Sequence, residues 1–191
     1  DKYYSNCTAY LTVKDTASGL YGVTWHINDG QYEDRVSVTN SKVDTETFSI
    51  NINEATHPSD NGTYTVYPVI TDNAGNSVSL QDRAITFKVD DEEPEVTVLN
   101  RDQYDSYQQV VTIAFEAYDK LSGIQYLKIE DENGEINLSD YTVESIGKNE
   151  DGYEVFKCYM NTPKKGTYYI KAVDNAGKVY EQTIVLDKVS K

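Results

Sequence analysis

The chain has 191 residues and a formal net charge of −15 at pH 7. That balance argues against nucleic acid and anionic lipid surfaces as partners, since both need a Lys/Arg stripe. Aromatic residues make up 12%, including 17 Tyr, too many for a disordered acidic tail. No run of about 18 apolar residues occurs, so no membrane insertion is expected.

In chain order, the first strand pattern is Cys7, Ala9, Leu11 and Val13, alternating with polar residues and so half-buried. A loop block follows, Asp15-Thr16-Ala17-Ser18-Gly19-Leu20. Val23, Trp25 and Ile27 alternate next and run into an Asn28-Asp29-Gly30 turn. Phe48, Ile50 and Ile52 make a further inward set. Asp60-Asn61-Gly62-Thr63-Tyr64 has the form of a tyrosine corner, in which Asp60, Gly62 and Tyr64 are structural and the Tyr hydroxyl bonds back to the main chain. Tyr64 and Val66 lead a strand that ends at Asp72-Asn73-Ala74-Gly75-Asn76, a hairpin turn. Ile85, Phe87 and Val89 form the last strand.

The same order then repeats. Asp119-Lys120-Leu121-Ser122-Gly123-Ile124 lies 104 residues after the first loop block, and Gly166-Thr167-Tyr168 lies 104 after Gly62-Thr63-Tyr64. Asp174-Asn175-Ala176-Gly177-Lys178 follows its counterpart by 102 residues, and Ile184–Asp187 follows Phe87–Asp90 by 97. Shrinking offsets mean two copies of one unit with short loop deletions. Val111, Ile113, Phe115 and Ala117 match the first strand; Phe156, Cys158 and Met160 are matched to Phe48, Ile50 and Ile52; Ile129 stands where Trp25 stood. Gly166 and Tyr168 keep the corner, with Lys164 in place of the Asp.

Strand signals about every ten residues, with no long helical period, predict an all-β fold: two tandem immunoglobulin-like β-sandwiches. The expected boundaries are 1–90 for the first, 91–94 for an acidic linker and 95–191 for the second. The first has no counterpart of Glu95-Val96-Thr97-Val98-Leu99, so it is expected to lack its opening strand and to begin just inside a repeat.

The combination Asp-x-x-Ser-Gly-Leu/Ile, Gly-Thr-Tyr and Asp-Asn-Ala-Gly-Asn/Lys resembles the bacterial immunoglobulin-like repeats of secreted and cell-surface proteins, over nearly the whole chain. The resemblance implies an extracellular location and a non-catalytic role as stalk, spacer or adhesion module. The alternative it implies is an accessory module that binds or positions glycan beside a secreted carbohydrate-active enzyme. Neighbouring repeats in a longer protein would be partners, with a host protein or glycan as a further one.

Chemistry-bearing residues are few. No HExxH and no GxSxG elbow is present, and no catalytic residue is expected. His26 should point outward from its strand, and His57, before Pro58, reads as a surface residue. Cys7 and Cys158 occupy inward, non-equivalent positions and read as small buried hydrophobes without a bridge. The acidic residues form the sharper pattern. In such a sandwich Asp119 and the pair Asp174-Asn175 lie at the pole facing the linker Asp90, Asp91, Glu92 and Glu93. Hard oxygens from three segments suit Ca²⁺; the alternative is that the Asp residues cap turns beside a solvated hinge. Tyr3, Tyr4, Tyr104, Tyr107, Tyr118 and Tyr126 could stack on a ligand, or simply fill outward strand positions. Residues 1–89 carry −5, residues 94–191 carry −6 and the four residues between carry −4, so the charge is concentrated in the linker.

Overall fold

The computed structural model describes residues 2–38 and 45–190. Nearly all its regular structure is β. The chain divides into two compact units, Asp1–Asp91 and Glu92–Lys191. The division falls inside the expected linker 91–94, and Asp91 is tied to unit 1: its Oδ2 accepts the backbone N–H of Glu54 at 3.3 Å.

Unit 2 is the more complete. One sheet has the order β13-β14-β10-β9, from β9 (Glu95–Leu99), β10 (Val111–Tyr118), β13 (Thr142–Lys148) and β14 (Glu154–Thr162). The other runs β12-β11-β15-β16, from β11 (Ile124–Asp131), β12 (Gly134–Glu135), β15 (Gly166–Asp174) and β16 (Val179–Leu186). Lettered in chain order these are D-E-B-A and C′-C-F-G, the immunoglobulin arrangement. A short helix α1 (Arg101–Tyr104) follows β9. The inward residues Val111, Ile113, Phe115 and Ala117 are at most 1% exposed and pack with Leu127, Ile129, Ile170, Ala172 and Ile184 of the facing sheet. Alternation puts every second residue of these strands into this one layer, and its burial drives the fold.

Unit 1 pairs β2 (Cys7–Lys14) with β5 (Thr45–Ile52) as the B and E strands. Its other sheet runs β1-β8-β6-β3-β4, from β1 (Tyr3–Tyr4), β3 (Leu20–Ile27), β4 (Tyr32–Ser37), β6 (Thr63–Asp72) and β8 (Ile85–Val89). The short β7 (Ser77–Ser79) pairs with the far end of β6. Leu80–Ala84, which hold a 3₁₀ turn, separate β7 from β8. These five residues have no counterpart in β16, which accounts for the fall of the repeat offset from 102 to 97.

Among the described residues β2 pairs only with β5, whereas its counterpart β10 pairs with both β14 and β9. Among the described residues no strand takes the place of β9 beside β2, and the core registers it. Cys7, Leu11 and Val13 are only half-buried, where Val111, Phe115 and Ala117 are fully buried. The burial assigned to Cys7 from its pattern is thus incomplete.

The pairing of β5 and β14 corrects the sequence alignment. Ala9 faces Ile50 and Leu11 faces Phe48, while Ile113 faces Met160 and Phe115 faces Cys158. Phe48 is therefore equivalent to Cys158, Ile50 to Met160 and Ile52 to Thr162, one inward position away from the match by residue type. Thr162 is 5% exposed, and its hydroxyl bonds the Tyr168 hydroxyl at 2.9 Å. A polar side chain is tolerated there because the corner Tyr supplies its partner.

Candidate functional site

In each unit the loop after the B strand meets the turn after the F strand, and the two repeated blocks prove to be halves of one clasp. Asp15 Oδ1 accepts the Ala17 N–H at 2.8 Å and Oδ2 accepts the Ser18 hydroxyl at 3.1 Å. Asp119 Oδ1 accepts the N–H groups of Leu121 and Gly123 at 3.0 and 2.8 Å and the Ser122 hydroxyl at 3.4 Å. Each loop ends on a glycine at φ 80°, Gly19 and Gly123, a left-handed conformation that costs other residues energy. The F–G turn then locks on. Asn73 Nδ2 donates to Ser18 O at 3.0 Å, and Asn175 Nδ2 donates to Ser122 O at 2.8 Å and Gly123 O at 3.1 Å. The Asn backbone N–H groups donate to Gly19 O and Gly123 O, both at 3.0 Å. The sequence identified the turn but not the clasp, because an Asn reaching 52 residues back leaves no local signature.

The second half of the turn differs between the units. Asp72 is fully satisfied: Oδ1 accepts the Asn76 N–H and Oδ2 the Asn76 side-chain amide, both at 2.8 Å. These bonds hold its carboxyl below the usual range. Asp174 Oδ1 likewise accepts the N–H groups of Ala176 and Lys178, at 2.8 and 2.9 Å. Its Oδ2, however, is buried with no hydrogen-bond partner. Asp174 is 0% exposed and Asp119 8%, and carboxylate oxygens of the two lie within 4.8 Å of each other. Burial pushes the Asp174 carboxyl above its usual range, and the Asp119 charge pushes in the same direction.

The other acidic residues singled out in the sequence have these local contacts. Asp90 is buried at the end of β8, and its N–H donates to Tyr4 O at 2.8 Å. Asp91 bonds Glu54 as described. Glu92 and Glu93 open unit 2 exposed, and the Glu92 charge acts on Lys120 in the B–C loop.

The tyrosine candidates differ in their surroundings. Tyr104 turns inward: its hydroxyl donates to Leu99 O at 2.8 Å, and its ring packs against the core. Tyr118 stacks on Tyr153 with centroids 5.7 Å apart. Tyr3 and Tyr4 lie beneath the ammonium groups of Lys88 and Lys2, and Tyr126 beneath that of Lys128. Tyr107 is 74% exposed and stands apart.

His57 is not a surface residue. It is 4% exposed, its Nε2 lies 2.9 Å from Asp34 Oδ2, and its Nδ1 lies 2.8 Å from the Thr56 hydroxyl. A carboxylate only accepts, so Nε2 carries the proton. The order hydroxyl–imidazole–carboxylate is that of a nucleophile relay, but Thr56 is the next residue to His57, and its hydroxyl is also within reach of Asn53 O and Oδ1. The group pins the E–F loop, where Tyr64 donates its hydroxyl to His57 O. Asp60 is exposed and takes no part; Asn61 Oδ1 closes that turn, accepting the Thr63 N–H at 2.9 Å and the Ser59 hydroxyl at 3.1 Å. His26 stacks on Tyr67 and pairs with Glu33 at 3.5 Å. Trp25 is 3% exposed in the unit 1 core, with no partner for its indole N–H. Cys158 is buried, and burial pushes its thiol up to about 12, so it is unreactive at neutral pH. Both cysteines are free thiols.

No family model matches the chain, and no curated protein is similar to it. Among the described residues, no helix is long and apolar enough to cross a membrane.

Proposed function

We propose that the chain is a non-catalytic, load-bearing spacer in a bacterial extracellular protein, with neighbouring repeats as its covalent partners. The observation that carries this reading is a parallel contact, in each unit, between a segment just before the B strand and the unit's last strand or the residues after it. In unit 1, β1 and β8 run parallel, Tyr3 beside Lys88 and Tyr4 beside Val89. In unit 2, Gln108 bridges Val189 in parallel, its N–H donating to Lys188 O at 3.3 Å and its carbonyl accepting the Ser190 N–H at 2.8 Å. Tension through the chain pulls such parallel segments in opposite directions along their length. Their cross-strand bonds are then loaded together in shear rather than opened one at a time. The clasp at the B–C and F–G loops repeats in both units and ties further segments across each sandwich.

Two of the candidate tyrosines are engaged within the protein, Tyr104 against the core and Tyr118 on Tyr153, which favours this role over glycan binding. The extracellular setting rests on the resemblance of the repeated blocks to cell-surface repeats. Single-molecule pulling tests the reading: two discrete unfolding events support it, and gradual lengthening without discrete steps overturns it.

A further inference from the structure

We propose that Asp119 and Asp174 hold a calcium ion at the clasp of unit 2. The inference is independent of the spacer role. It starts from a difference between two copies of one motif. In unit 1 the turn residue Asn76 supplies the side-chain amide that satisfies Asp72 Oδ2. Unit 2 has Lys178 at that position, and Lys178 offers the turn only its backbone N–H, to Oδ1. Oδ2 of Asp174 is therefore left open, in a residue 0% exposed, beside a second carboxylate within 4.8 Å.

Two like charges at that separation, one of them stripped of water, repel and are poorly solvated. A bound cation would make the arrangement favourable. The nearest Lys of the loop is already engaged, since Lys120 Nζ pairs with Glu95 at 3.1 Å. The three local bonds of Asp119 all fall on Oδ1, so its other oxygen is not used in holding the loop. The donors are hard oxygens, and the clasp blocks contain neither His nor Cys, which favours calcium or magnesium over zinc or copper. A pair of carboxylates on two loops, with water completing the shell, suits the larger ion. Magnesium demands near-ideal octahedral geometry and gives up water reluctantly. A bound ion would cross-brace the B–C loop and the F–G turn, already joined through Asn175.

The test uses the full chain stripped with EDTA. Calorimetric titration with CaCl₂ should show one site, with Kd on the order of 10⁻⁴ to 10⁻³ M, as in other extracellular modules. At about ten times Kd, calcium should raise the unit 2 melting temperature by roughly 5 °C or more, and equimolar magnesium should raise it much less. Asp174→Asn keeps an Oδ1 acceptor for the turn and should lose the calcium shift; Asp119→Asn should lose it too. Asp72→Asn, at the matching position of unit 1, should keep it. Terbium luminescence sensitised by tyrosine and displaced by calcium reads the same site in the unmutated chain. Absence of binding at 10-fold the upper Kd, an undiminished shift in Asp174→Asn, or equal responses to the two metals would overturn the assignment.

Discussion

The Tyr64 hydroxyl reaches the carbonyl of buried His57, and the residue is 0% exposed. Burial pushes the phenol up to about 12, so it stays a neutral donor over the whole useful pH range. Tyr64→Phe removes that donor and strands a buried carbonyl, at a cost of about 1–3 kcal/mol. Tyr168→Phe should cost a similar amount, because it removes the donor to Lys164 O and also leaves the buried Thr162 hydroxyl without its partner. Thermal unfolding of the two variants checks this; an unchanged stability of Tyr168→Phe would contradict it. At this scale the sequence was legible where a residue acts on its immediate neighbours. Gly62-Thr63-Tyr64 marked the corner, and Asp119 marked its own turn. His57 and Thr162 were not legible, since their burial depends on partners brought from other strands, Asp34 and Tyr168. Asp60 was given a part that its neighbour Asn61 plays, a distinction that composition cannot make.

At the scale of elements, β2 and β10 have the same alternating pattern but different neighbours. Among the described residues no strand lies against the outer edge of β2, which leaves the N–H groups on that side without a ladder partner. Hydrogen exchange should therefore be faster for residues 7–14 than for residues 111–118; equal protection would show that the open edge is closed in solution. A second prediction concerns the C-F-G face of unit 2. Glu130 lies 2.7 Å from both Lys128 and Lys171. Its bond from Lys128, then that from Lys171, holds its carboxyl below the usual range. A depressed carboxylate contributes stability above its unfolded value and loses it as pH falls through the folded one. With these side chains about one-fifth exposed, Glu130→Gln should cost only about 0.5–1 kcal/mol at pH 7. The gap from the wild type should close as pH drops below about 4. A gap independent of pH would assign the loss to packing instead. The strands themselves were legible from alternation. The equivalence of β5 and β14 was not, because matching by residue type preferred Phe with Phe, whereas register is fixed by backbone pairing.

For the whole molecule, two separate cores and two copies of the same clasp explain why the sequence repeats in four blocks rather than uniformly. Three of the blocks are turns and loops where backbone geometry constrains the residue; the fourth is the last strand, which supplies core residues. The overall charge of −15 had pointed to the linker as a cation site. Within unit 2 the orphaned oxygen belongs to Asp174, one of the residues named with that linker, and it arises from the exchange of Asn76 for Lys178. Burial of that oxygen could not be read from charge counts.

The load-bearing role is tested most directly by stretching the chain from its two ends. The units hold 91 and 100 residues, so each should release about 30 nm of contour length in one sharp event. Ser190→Pro removes the N–H that donates to Gln108 O and should lower the force of one event while leaving the other unchanged. Two sharp events, with one weakened selectively in the variant, is the expected result. Continuous low-force extension, or a variant indistinguishable from the wild type, would contradict a sheared parallel pair as the element that bears the load.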